Sequence, residues 1–174
     1  ELSMMAEPIG VDDWEVLRIA NRHPRVHIIQ PGPGVGGHCI AVDPWFLVHG
    51  APEHSRLIRT AREVNIAKTA HVIGAAEMLV AQHPRARVAC LGLAFKPNID
   101  DFRESPAVEV AAALARRFGS QIDIVEPYAR GLPFMIPAVS GTTSRAVDTA
   151  IAFIGRPDPY GLTFPGASPI VDSC

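Results

Sequence analysis

"RVACLGLAFKPNIDDFRESPAVEVAAALARRFGSQIDIV", residues 87–125, changes its rhythm twice. Arg87–Ala94 is a near-continuous apolar run, suited to a strand buried on both faces. Ser105-Pro106 then opens a helix that runs through Phe118, with Gly119 as its stop. Gln121–Val125 returns to strand. Strand, helix, strand predicts a parallel α/β sheet whose ligand lies beyond the carboxyl ends of its strands. A third strand is expected at Ile151–Gly155 and a fourth around Ile170 and Val171, while Tyr128–Thr149, rich in Pro, Gly, Ser and Thr, offers no pattern to assign.

Upstream the chain is helical. Asp12 or Asp13 can cap a helix from about Trp14 to Asn21, which His23-Pro24 ends. Residues 24–52 read as one long loop. Ser55–Gln82 holds no proline and carries apolar residues at Leu57, Ile58, Ala61, Val64, Ala67, Ala70, Val72, Ile73 and Ala76, so it predicts one long helix. Such a helix reaches about 40 Å, more than a small domain needs, and is expected to join two domains or pair with another subunit. His83–Ala86 marks the boundary. The fold class expected is α/β: a helical region over 1–84, then a Rossmann-like parallel-sheet domain over 85–174. Glu1–Ala6 reads as the tail of a helix and Pro169–Cys174 as a strand-like run, so a longer protein is expected around this chain.

With 48 % apolar residues and a net charge of −2, the chain has neither the composition of a disordered segment nor the basic stripe of a nucleic-acid binder. No apolar run approaches the roughly 20 residues of a membrane span, so no membrane partner is expected. Glu1–Pro8 lack the basic start and apolar middle of a secretory signal, so a cytoplasmic address is expected. Cys39, Cys90 and Cys174 are odd in number and form no CxxC pair, which argues against a disulfide framework and a structural zinc site.

Two loops carry candidate chemistry. "PGPGVGGHCIAVDPWF", residues 31–46, packs glycines at 32, 34, 36 and 37 just before Cys39. Such a loop lets backbone N–H groups approach a ligand and can hold a reactive thiol in a tight turn. His38 or a bound cation can stabilise the thiolate, and Asp43, four residues on, can manage a hydrolytic water if Cys39 forms an acyl intermediate. The plainer alternative is a turn beside a small buried cysteine. Arg22, His23, Arg25 and His27, just upstream, form either a phosphate-binding group or a solvated patch. The second loop, Phe95–Pro106, follows the first strand. Lys96 can reach a phosphate or sugar hydroxyl there, Phe95 can pack on a base or sugar, and Arg103 can meet a second anion, with Asp100, Asp101 and Glu104 orienting the cations or serving as helix-start acids. No GxGxxG follows this strand, so it is not an ordinary dinucleotide fingerprint. Cys90 belongs to the core, and His49, His54, His71 and His83 have no partner at ligand spacing.

Together, "NRHPRVHIIQPGPGVGGHCIAVDPWF" and "GLAFKPNIDDFRESPA" resemble the NAD-dependent nucleotide-sugar 6-dehydrogenases of the UDP-glucose/GDP-mannose dehydrogenase superfamily, above all the branch that acts on UDP-N-acetylmannosamine. The resemblance runs to about Pro127. It implies oxidation of a sugar C6 alcohol to a carboxylate with two NAD+ per sugar, in a homodimer or higher homo-oligomer with a shared site. By position it implies Cys39 as the nucleophile that forms a thiohemiacetal and then a thioester, and Asp43 as the carboxylate of the water step. It further implies Gly36, Phe95 and Lys96 as substrate contacts, His23 and Arg25 as contacts made to a neighbouring subunit's substrate, and Arg103 as a contact to NAD. The family's NAD domain, with its catalytic Lys and Asn, is expected before Glu1, so the chain alone is expected to be inactive. UDP-glucose or UDP-N-acetylglucosamine as substrate, or a non-catalytic nucleotide-sugar-binding or dimerisation module, are the alternatives.

Overall fold

The computed structural model describes residues 1–96, 99–126, 139–140 and 149–152. Two short helices lead, α1 (Leu2–Ile9) and α2 (Asp13–Ala20). Gly10 closes α1 with a left-handed backbone, φ 77°, a conformation that glycine adopts without a Cβ penalty. Asp12 is the residue that caps α2: its carboxylate accepts from the Glu15 N–H at 3.0 Å.

Residues 24–52 are not one loop. Asp43–Gly50 form α3, and a 3₁₀ turn follows at Pro52–His54. Pro44 stands where a helix start tolerates proline, but the apolar run Trp45–Val48 is continuous rather than periodic, so the usual helical pattern is missing.

Helix α4 spans Arg56–Gln82 as one unbroken rod. Its buried face differs from the apolar set expected of it. Leu57 is 82 % exposed and Ala61, Ala67 and Ala70 also face outward, while the first half buries Arg62, Lys68 and Thr69. Only the second half, through Val72, Ala76 and Val80 at i, i+4 and i+8, presents an apolar stripe. Thr69, with the half-buried Asn65, faces a stretch of irregular backbone and supplies partners to its N–H and C=O groups.

The sheet begins at β1 (Val88–Leu91), cut shorter than the apolar run by Gly92, whose φ of 77° turns the chain. Helix α5 (Pro106–Phe118) crosses back and ends at Gly119, φ 55°, before β2 (Ile122–Val125). Two further strands follow, β3 (Val139–Ser140) and β4 (Thr149–Ala152). β3 lies in the stretch that offered no pattern, and β4 begins two residues before the strand expected there. Residues 153–155, Arg156–Gly161, Ile170, Val171 and Cys174 lie outside the described residues.

All pairings are parallel and the order is β3-β2-β1-β4, with Val88 opposite Ile122 on one side and Thr149 on the other. The chain therefore leaves β1 in one direction and returns to its other edge with β4, which creates a switch point at the carboxyl end of β1, the usual place for a ligand crevice. α5 buries Ala107, Val110, Ala111 and Leu114, spaced i, i+3, i+4, i+7, against β1 and the apolar half of α4. No helix of the described residues is long and apolar enough to cross a membrane.

Candidate active site

The loop before Cys39 is an irregular strap clamped from two sides. On one side α4 supplies side chains. Asn65 accepts from the Val35 N–H at 2.7 Å and donates to the Val35 carbonyl at 3.1 Å, as a neighbouring strand would, and the buried Thr69 hydroxyl donates to the Pro33 carbonyl at 2.8 Å. On the other side stands the turn before α5, where the Gly37 N–H donates to the Arg103 carbonyl at 3.0 Å. A Cβ on Gly36 would lie 2.2 Å from the Glu104 carbonyl oxygen, and one on Gly37, itself at φ 90°, would lie 2.9 Å from the Phe95 ring. The strap approaches this closely because these positions have no side chain. Glu104 also bends to meet it, with a left-handed φ of 49°.

The strap, the loop that follows β1 and the start of α5 line a cavity of about 520 Å³. Gly36, Cys39, Phe95 and Lys96 all line it, so four of the expected site residues, from two loops far apart in sequence, meet at one place. Cys39 is exposed, and its carbonyl accepts from the N–H groups of Val42 and Asp43, the turn that starts α3. The Lys96 ammonium sits 5.6 Å from the centre of the Phe95 ring, over its face.

The other expected residues stand apart from these walls. Asp43 begins α3 and is exposed; it does not line the cavity. His23 and Arg25 occupy the exposed turn after α2, where the Arg25 N–H donates to His23 Nδ1 at 3.2 Å, and they too lie outside the cavity lining. Arg103 is exposed and already engaged: it forms a bidentate pair with Asp101, and its Nη2 donates to His38 Nδ1 at 3.1 Å, which leaves the proton of a neutral His38 ring on Nε2. The Arg103 hydrogen bonds, through side chain and backbone, hold the Asp101 carboxyl down to about 2. Asp101, and a Cys39 thiolate beside it, in turn push Arg103 upward. Cys39 thus shares its surroundings with a fixed cation, a fixed carboxylate and an imidazole.

Two profiles of one family match this chain in order: the central domain of the UDP-glucose/GDP-mannose dehydrogenase family over residues 1–67, and its UDP binding domain over residues 89–152. The chain belongs to the UDP-glucose/GDP-mannose dehydrogenase family. It is 51 % identical over 160 residues to a UDP-N-acetyl-D-mannosamine dehydrogenase of Escherichia coli K12, covering 87 % of this chain and 38 % of that one. It is 52 % identical over 139 residues to an NDP-N-acetyl-D-galactosaminuronic acid dehydrogenase of Ralstonia nicotianae, covering 80 % and 33 %. Among solved structures, the UDP-D-ManNAc dehydrogenase of Pyrococcus horikoshii superposes with a TM-score of 0.71 at 32 % identity, covering 90 % of this chain and 37 % of that one. The chain spans about a third to two-fifths of the length of these relatives.

For this UDP-glucose/GDP-mannose dehydrogenase family chain, the structure adds residues that the sequence reading missed. Asn65 and Thr69 hold the strap, and their signal was a pair of polar residues one turn apart on a helix face read as apolar. Behind the strap lies a second cavity of about 380 Å³, lined in part by the buried Lys68, whose ammonium has no hydrogen-bond partner among the described residues. Glu126, directly after β2, is 2 % exposed and turns into the fold. For a dinucleotide cofactor the fit is poor. Residues 32–37 spell G-x-G-x-x-G letter for letter, yet no strand enters that turn and no helix starts from Gly37, whereas the fingerprint works only between a strand and a helix N-terminus. Arg103, the residue expected to contact NAD, is exposed and does not line the cavity.

Proposed function

We propose that the chain supplies the central and UDP-binding parts of a nucleotide-sugar 6-dehydrogenase, with UDP-N-acetylmannosamine as substrate and the border between the two parts at residues 84/85. The observation that carries this reading is the exposed Cys39 thiol in a cavity that Phe95 and Lys96 also line. At about 520 Å³ the cavity is within the range of small-molecule sites. Phe95 packs on the nucleotide or sugar, Lys96 meets its negative charge, and the Gly36 backbone lets the sugar come close to the strap. The Cys39 thiolate adds to the C6 aldehyde, the carbonyl pair becomes an alkoxide that takes up a proton, and the resulting thiohemiacetal is held for the second oxidation. Water then cleaves the thioester, releasing the carboxylate and restoring the thiol, with Asp43 orienting that water. NAD, as hydride acceptor, would be bound by residues other than the cavity walls described here, with Arg103 touching it from the edge. The exposed position of His23 and Arg25 supports their reaching a neighbouring subunit's substrate, and the outward Leu57, Ile66 and Met78 on α4 support pairing of two copies. The scattered cysteines, three in number and without a CxxC pair, support a cytoplasmic address.

In the complete enzyme, Cys39→Ser should abolish acid formation and leave nucleotide-sugar binding intact; undiminished turnover by that variant refutes the assignment. The 52 % identity to the Ralstonia dehydrogenase favours, as a second reading, a galacto-configured N-acetylhexosamine nucleotide as substrate. A substrate panel on the complete enzyme separates the two readings. UDP binding by a protein that oxidises nothing in the panel would instead favour the non-catalytic module.

A further inference from the structure

In a dinucleotide-binding α/β sheet, an acidic residue following the second strand is free to meet a ribose hydroxyl. Here the acidic residue after β2 does the opposite. Glu126 is 2 % exposed, and its Oε2 accepts from the Leu93 N–H at 2.6 Å and the Ala94 N–H at 3.3 Å, the two amides that lead out of Gly92 into the cavity wall. The Leu93 carbonyl is held as well, by the buried Ser105 hydroxyl at 2.6 Å. Ser105 precedes α5 but spends its hydroxyl here rather than on capping that helix. The peptide on which Phe95 and Lys96 ride is therefore pinned from β2 on one side and from the start of α5 on the other. Nothing else described among the hydrogen bonds fixes Leu93 and Ala94 to the neighbouring strand, and a charged acceptor makes each of those bonds stronger than a neutral one.

We propose that Glu126 is a positioning residue for nucleotide binding: it sets the height of the Ala94–Lys96 wall of the cavity and is withdrawn from ribose recognition. The proposal rests on the reading of that cavity as the nucleotide-sugar site. It predicts that UDP affinity follows the protection of the Leu93 and Ala94 amides through the series Glu126, Glu126→Gln, Glu126→Ala. Glutamine keeps a neutral acceptor in the same place, and alanine keeps none.

The test titrates each protein, as the full chain, with UDP by calorimetry, and follows the Leu93 and Ala94 amides by hydrogen exchange. Glu126→Ala should lose tenfold or more in UDP affinity, Glu126→Gln should recover most of that loss, and amide protection should fall in the same order. The emission of Trp14 and Trp45, both in the helical region away from β1 and β2, should stay level and so report an intact fold. Should Glu126→Ala fail to fold, the parent and Glu126→Gln carry the same comparison. UDP affinity unchanged in both variants, or falling with both amides as protected as before, overturns the proposal. A parent chain that binds no UDP overturns the functional reading instead, and the amide exchange still decides whether Glu126 holds the wall.

Discussion

At Gly36 a single missing carbon decides how close two parts of the chain can come. With its Cβ position 2.2 Å from the Glu104 carbonyl and 2.9 Å from Pro106 Cδ, Gly36→Ala must push the strap away from the turn before α5. Overpacking of this kind costs about 1–3 kcal/mol, read as a lower urea midpoint with an unchanged slope. Gly50→Ala is the control: nothing stands within 4 Å of its Cβ position, and alanine at a helical position should leave stability level or raise it by up to about 1 kcal/mol. The Asp101 carboxyl makes a second prediction at this scale. Its folded value, about 2, lies below the ordinary 3.8, so the contribution of the Asp101–Arg103 pair is present above about pH 4 and is lost as the pH falls through 2. A carboxyl carbon titration by NMR should find that midpoint near 2, and Arg103→Met should return it toward the ordinary value.

Among the elements, α4 does two jobs along one axis: its first half holds backbone and its second half packs the core. Asn65→Ala should cost about 1–3 kcal/mol, because it leaves both polar groups of Val35 without a partner in a half-buried place. Faster exchange of the Val35 amide in that variant is the measurement that localises the loss. The same helix shows what could be read from the sequence. Its length and limits were legible because they depend on proline, glycine and propensity, all of which are local. Its buried face was not, because Arg62, Lys68 and Thr69 are inside only by virtue of what lies opposite, a fact with no trace in the periodicity of the helix itself. α5 was legible in both respects, since Ser105-Pro106, the apolar stripe and Gly119 all act within the helix. At the site, Cys39, Gly36, Phe95 and Lys96 could be found from loop composition. Glu126 could not, since one acid after a strand has the same letter whether it faces solvent or the fold.

Across the whole molecule, the strap and the packing of α4 on α5 tie the helical region to the sheet, so the two should unfold together. Both tryptophans, Trp14 and Trp45, lie in the helical region, while Cys90 lies at 0 % exposure in β1, one of the two inner strands of the sheet. Tryptophan fluorescence and Cys90 labelling should therefore report the same urea midpoint, as a two-state transition requires. Midpoints that separate would show that the strap is too weak to couple the two regions.

The two described thiols stand at opposite extremes. Burial pushes Cys90 up to about 12, so it is a poor nucleophile at neutral pH, whereas Cys39 is open to solvent at the cavity. Once Cys174 is replaced by serine, the folded chain carries its own addressable attachment point: a maleimide dye added under native conditions would go to Cys39 alone, in the cavity that Phe95 also lines. A fluorophore there would sense occupation of the cavity directly, in a titration that needs neither turnover nor a hydride acceptor.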